Sequence, residues 1–162
     1  MASGNNPAAQ DIFHRFDQLN KALIDASSII YIAKADFLPI LASSIGLFSI
    51  QEILSEAGPV SESITPLIYK EAAFSNDQKF ISCALDFNLP IISEDKKILA
   101  AIKRARRPFF NALMMLNFLL YHQKINSQQY FQYHLALKKF ARYSEEIWQY
   151  GSKVHTAIDA LN

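Results

Sequence analysis

Leu89-Pro90-Ile91-Ile92-Ser93-Glu94-Asp95 decides the fold once it is set beside Ala22-Leu23-Ile24-Asp25. Each is a short apolar run that ends in, or passes directly into, acids. Consecutive apolar residues of this length suit a strand buried on both faces, as strands of parallel sheets are. Pro90 stands at the start of its run, where a missing N–H is tolerated. Leu47-Phe48-Ser49-Ile50 is another strand candidate. Ile64 to Ile68 reads as an edge strand interrupted by Pro66, and Phe109-Phe110 as a short last strand.

Helical patterns fill the intervals. Ala9 to Lys21 carries Ile12, Phe13, Phe16 and Leu19 at helical spacing. Ala26-Ser27-Ser28 leads into Ile29 to Ala33, a helix with a serine cap. Leu38 to Ser44 is helical, with Gly46 in the left-handed position that closes many helices. Gln51 to Ala57 is stopped by Gly58-Pro59. The stretch from Val60 to Phe74 is ambiguous. From Asp77, a helix places Phe80, Ala84 and Phe87 on one face and ends at Asn88. Lys96 to Arg106 follows, with Ile98, Leu99, Ile102 and Ala105 facing inward. After Phe110 the chain is all helix. Ala112 to His122 is apolar nearly all round, Asn126 and Gln129 have capping-box spacing, and Tyr130, Tyr133, Leu137 and Phe140 form a stripe. Ser144, Glu145 and Glu146 open a last helix containing Ile147 and Trp148.

Strands alternating with helices imply a parallel sheet, because each parallel pairing needs a crossover. The expected fold is therefore α/β, a central parallel sheet flanked by helices, with an extra N-terminal helix and C-terminal helices. Residues 1–8 read as a disordered tail. Residues 9–162 read as one domain, with a helical extension from about residue 112.

At 162 residues and 51% hydrophobic content, the chain has ample material for a core. A net charge of +1 neither points to a nucleic-acid partner nor excludes one, so such binding would need a local patch. The lone Cys83 rules out an internal disulfide and fits a reducing compartment; it reads as a small buried hydrophobe. His14, His122, His134 and His155 lack metal-ligand spacing, which argues against zinc. No secretory signal is visible. The longest apolar stretch, Phe109 to Tyr121, is broken by Asn111 and Asn117 and falls short of a hydrocarbon core about 30 Å thick. A soluble, cytoplasmic protein is expected.

In open parallel sheets ligands bind beyond the carboxyl ends of the strands, and right-handed crossovers bring all those ends to one edge. Asp25 and Asp95 should therefore meet if their strands are neighbours. Glu56 falls on the helix after the second strand, and Asp77 in the first turn of the helix leading to the third apolar run. Each acid also has a plainer reading. Asp25 caps a helix, Asp77 favours a helix N-terminus, and Glu56 is a solvated charge.

Taken in order, these segments resemble the PIN-domain family. "ALIDASSIIYIAKAD" looks like the family's opening strand, with its first acid at Asp25 and a following hydroxyl at Ser27. "FSIQEILSEAG" looks like the second-acid segment, with Glu56 three residues past Ile53. "NDQKFISCALDFNLPIISEDKKIL" is similar to the third-acid helix and fourth-acid strand, matching Asp77 and Asp95. "YHQKINSQQYFQYHLALKKFARYSEEI" resembles a prokaryotic branch with an added helical tail. The resemblance spans Ala22 to Ile147. It departs from the family pattern at Asn111-Ala112, where a small hydroxyl residue or glycine is frequent. Glu52, Glu71 and Glu94 flank the motif positions and compete for the assignments.

The resemblance implies a three-layer PIN-like fold and a metal-dependent endoribonuclease, with the toxin of a toxin–antitoxin pair as one role open to it. Asp25, Glu56, Asp77 and Asp95 would be its catalytic and metal-binding residues. Oxygen-only ligands suit Mg²⁺ or Mn²⁺. RNA, an antitoxin protein and a second copy of the chain are the implied partners. Ser27 and the basic run Lys103-Arg104-Ala105-Arg106-Arg107 are candidate RNA contacts, although cations at a helix end also complement its dipole. The competing reading is a PIN-like scaffold that binds RNA or protein without cutting. A nucleotide-binding domain ranks last, since the four glycines form no G-x-G motif.

Overall fold

A computed structural model of the chain describes residues 7–70 and 75–162. Glu71 and residues 1–6 of the expected tail lie outside the described residues. Among the latter, β1 (Lys21–Ile24), β2 (Gly46–Ile50), β3 (Thr65–Leu67), β4 (Ile91–Ile92) and β5 (Phe109–Phe110) form one sheet, ordered β3-β2-β1-β4-β5. Every neighbouring pair is parallel. Pro66 is accommodated because β3 is an edge strand.

From β1 the chain steps outward to β2 and β3, then crosses back to β4 and β5 on the other side. With right-handed crossovers, these two directions send the connecting helices to opposite faces. α2 (Ala26–Lys34), α3 (Leu38–Ser44) and α4 (Gln51–Ala57) serve the first direction, α5 (Asn76–Asp86) and α6 (Lys96–Arg104) the second. α7 (Ala112–Tyr121) packs against α2 and α3, and α8 (Ser127–Phe140) and α9 (Glu145–Asp159) pack against α7. α1 (Pro7–Gln18) lies against α7 and α9. The architecture is the expected α/β one, a parallel sheet between helical layers in a three-layer PIN-like arrangement. The strand order reverses between β1 and β4, the place where open parallel sheets bind ligands beyond the carboxyl ends of their strands.

The all-apolar reading of α7 is correct: every residue from Ala112 to Leu120 is buried, Asn117 included. The Asn126–Gln129 capping box forms with both reciprocal bonds. Cys83 is fully buried, and burial pushes its thiol pKa up to about 11. In the aromatic stripe of α8, Tyr130 and Leu137 are buried while Tyr133 and Phe140 pack partly covered against the same core. That assigns the stripe to packing.

Several local expectations need correction. α1 begins at Pro7, so residues 7 and 8 are helical and not tail. α2 is capped by Asp25 and not by a serine, because Asp25 already holds the extended backbone of a cap. Gly46 does not close α3. It opens β2, where a Cβ would come within 3.0 Å of the Phe48 ring, and it is Gly58 that carries the positive φ, +79°. Phe87 does not join Phe80 and Ala84 inside; it follows the last turn of α5 and is 50% exposed. Asn88 then turns left-handed at φ +54°. α6 ends at Arg104, and Ala105 faces solvent because the left-handed Arg106 swings the chain toward β5.

Gly151 offers a direct test of how tightly the C-terminal helices seat. A Cβ there would lie 2.5 Å from Leu113 Cδ2 and 3.0 Å from its Cγ. Leu113 is fully buried and has no room to retreat. Gly151→Ala is expected to destabilise by about 1–2 kcal/mol in urea unfolding, overpacking outweighing the gain in helix propensity. Stabilisation would mean that α9 rides loosely on α7.

No single helix among the described residues is long and apolar enough to cross a membrane. The α2–α3 pair passes that test jointly, but it bends by 118° and buries Ile29, Ile32 and Leu41 in the core.

Candidate functional site at the carboxyl edge of the sheet

The β1–β4 register pairs Leu23 with Ile91 and Ile24 with Ile92, so the next residues along the two strands, Asp25 and Ser93, stand side by side. The Asp25 backbone N–H donates to the Ile92 carbonyl at 2.9 Å. Asp25 Oδ1 accepts from the Ala26 N–H at 2.8 Å, capping α2. Its Oδ2 accepts from the Ser93 hydroxyl at 3.0 Å, with the Ser27 hydroxyl farther off at 3.5 Å. Ser93 Oγ in turn accepts from the Asp95 N–H at 3.1 Å, so one buried hydroxyl ties the two strand-end acids together. Asp95 Oδ1 accepts from the Lys97 and Ile98 N–H groups and caps α6.

Glu56, on α4, accepts from the Asn76 side chain at 2.9 Å. Asn76 opens α5, where Asp77 occupies the first turn. The four acids therefore stand on four segments at one edge of the sheet. Their electrostatics are linked as well. Burial raises the Asp25 pKa most, the bonds from Ser93 and Ala26 oppose that, and the charges of Asp77 and Asp95 push it further up. Asp77 is raised by burial and then by Asp95 and Glu56, with Lys97 opposing.

Proximity is not ligation. Among the described residues, no three His, Cys, Asp or Glu groups stand close enough together to hold a metal ion. By element and charge the donor set suits a hard divalent cation. By position it falls short of a formed cage.

The residue sequence reasoning undervalued is Glu94. It is half-buried and accepts from the Ser28 hydroxyl, the Tyr143 hydroxyl and the Ala112 N–H. Its own N–H donates to Ser27 Oγ at 3.4 Å. Just past the end of β4, Glu94 turns toward α2 and α7 while Ser93 and Asp95 bond with one another on the Asp25 side. The acid itself could be read from "SED". Tyr143, in the linker between α8 and α9, gave no local signal. Ser27, expected to contact RNA, is occupied within this network. Asn111 caps α7 by accepting from the Met114 N–H at 2.8 Å, which accounts for an asparagine at the position that departs from the family pattern.

Burial raises the Glu94 pKa above its ordinary 4.5, against the pull of its three donors and with help from the charge of Asp25. The folded chain thus holds this proton more tightly than the unfolded chain does. Stability from this source is full below about pH 4.5 and declines as pH rises through the folded pKa. Glu94→Gln should flatten that decline in thermal melts taken upward from about pH 4.5, leaving the parts contributed by Asp25 and Asp77. An unchanged profile would show that Glu94 is ionised at no cost.

The basic run stands elsewhere. α6 starts at the acidic edge and runs about 13 Å, nine residues, to the opposite edge. Lys103 and Arg104 lie in its last turn, with Arg106 and Arg107 beyond, so these cations do not border the acids.

No family model, curated protein or solved structure matches this chain. The site's reading therefore rests on its own chemistry. Carboxylates gathered at a strand-order reversal can bind a divalent cation or hold protons shared among crowded acids.

Proposed function

We propose that the chain is a metal-dependent endoribonuclease of the PIN type, hydrolysing RNA phosphodiester bonds. One observation supports this best: Asp25, Glu56, Asp77 and Asp95 come together at one sheet edge, where the charges of Asp77 and Asp95 add to the raised pKa of Asp25 and those of Asp95 and Glu56 to that of Asp77. Crowded acids of this kind are relieved by a cation. Asp25 and Asp95 would hold Mg²⁺ or Mn²⁺, with Asp77 and Glu56 assisting directly or through water. Such an ion supplies Lewis-acid activation of a water nucleophile and neutralises phosphate charge. Ser93 keeps Asp25 and Asp95 in register, and the two helix caps leave each aspartate an oxygen free of cap bonds.

A toxin role with an antitoxin partner, a cytoplasmic setting and a homodimer belong to the same proposal. For the dimer, Phe131 and Leu135 are exposed one turn apart on α8. The second reading is a scaffold that binds RNA or protein without cutting. It is favoured by the use of both Asp25 and Asp95 as helix caps.

The purified chain is expected to cleave RNA with Mn²⁺ or Mg²⁺ and to stop when the metal is chelated. Titration calorimetry separates the readings: absence of Mn²⁺ binding at millimolar concentration would favour the scaffold.

A further inference from the structure

Lys96 to Arg107 holds six cations and no acid. At 100° per residue, Lys96, Lys97, Lys103 and Arg104 share one arc of α6 centred on Ala100, while Ile98 and Ile102 are buried on the other side. Lys96, Lys97, Lys103, Arg104 and Arg106 are exposed and Arg107 half-exposed. Among the described residues none of the six forms an ion pair. Complementing the helix dipole accounts for Lys103 and Arg104 only. Lys96 and Lys97 sit in the first turn, where the dipole disfavours them. The stripe begins where Lys97 acts on Asp77 and ends in a shallow groove of about 510 Å³ lined by Arg15, Lys103, Arg106, Arg107, Pro108 and Phe109.

We propose that the solvent face of α6 is a binding track for single-stranded RNA, carrying it from the acidic edge to the groove beside Phe109. This rests on the ribonuclease reading and names the side on which substrate leaves the site. From Lys96 to Lys103 the helix rises about 10 Å, so its cations extend along a line that a phosphate backbone can follow. Phe109 offers a partly exposed ring for base stacking, with the Arg15 guanidinium 6.0 Å from its centroid. A membrane would require apolar residues among the cations, and an acidic protein partner would require an apolar anchor. The exposed arc of α6 has neither beyond Ala100.

The test is fluorescence anisotropy of a labelled single-stranded RNA of about 12 nucleotides with the full chain in chelator, so that binding is read without cleavage. Four phosphate contacts imply that affinity falls roughly 50-fold between 50 and 200 mM salt. The quadruple variant Lys103→Gln, Arg104→Gln, Arg106→Gln, Arg107→Gln should bind at least about tenfold more weakly at low salt and lose most of that dependence. A charge-matched control, Lys124→Gln, Lys138→Gln, Lys139→Gln, Lys153→Gln, should bind as the native chain does. Equal binding by the two variants overturns the track. So does equally tight, equally variant-sensitive binding of polyglutamate or anionic vesicles. RNA held on the track but left uncut in Mn²⁺ would sink the nuclease reading alone. Cleavage that the quadruple variant performs as well as the native chain would sink the track alone.

Discussion

Asp25→Asn is expected to lower RNA cleavage by about 100-fold or more, since loss of even an outer-shell partner of a metal ligand costs about 10–100-fold. The folded structure should survive. Asparagine caps helices as well as aspartate does, so the bond from the Ala26 N–H is retained. Removing the charge also removes repulsion from Asp77 and Asp95, so the melting temperature at neutral pH should hold or rise. Lost activity with retained or gained stability is the signature of a group kept for chemistry at a cost to folding. Asp95→Asn should behave alike, since asparagine can still accept from the Lys97 and Ile98 N–H groups. Undiminished cleavage in both variants would place the reacting centre elsewhere. Loss of stability in Asp25→Asn would instead make it a structural aspartate, as the scaffold reading requires.

Phe16→Ala is expected to cost about 3–5 kcal/mol in urea unfolding, a large share of a typical stability of 5–15 kcal/mol. Phe16 is fully buried. Its ring lies 6.1 Å from that of Phe110 on β5, 5.7 Å from Phe118 and 5.6 Å from Tyr121, both on α7. The N-terminal helix thus covers the β5 side of the sheet although it falls outside the family-like stretch. A loss below about 1 kcal/mol would mean that neighbouring rings close the cavity. The Tyr121 hydroxyl bonded to Asp17 and His122 Nε2 near the Phe16 carbonyl add polar ties at the same seam.

Much of the architecture was legible before any coordinates, because its signals are local. Buried parallel strands announce themselves as apolar runs, as at Ile24 and Ile91-Ile92. Asn126 with Gln129 states a helix start in four residues. The placement of Asp25 and Asp95 at one edge followed from the parallel direction of their strands. What failed locally was the fine choice between neighbours: which of Asp25 and the serines caps α2, whether Gly46 closes a helix or opens a strand, whether Phe87 turns inward. Each was settled by the packing partner, such as the Phe48 ring over Gly46.

The amino-acid order by itself determined the parallel α/β class, the sheet edge where acids gather, and the amphipathic character of α6, since these depend on unbroken apolar runs, on the helical period of 3.6 and on the alternation of strands with helices. Only the tertiary structure decided that Ser93 joins Asp25 to Asp95, that Tyr143 reaches back across the fold to Glu94, and that the Lys103–Arg107 cations stand at the far end of α6 from the acids. Those are relations between residues distant in the chain or at opposite ends of one helix. They are set by strand register, helix length and layer packing, which no short window of sequence contains.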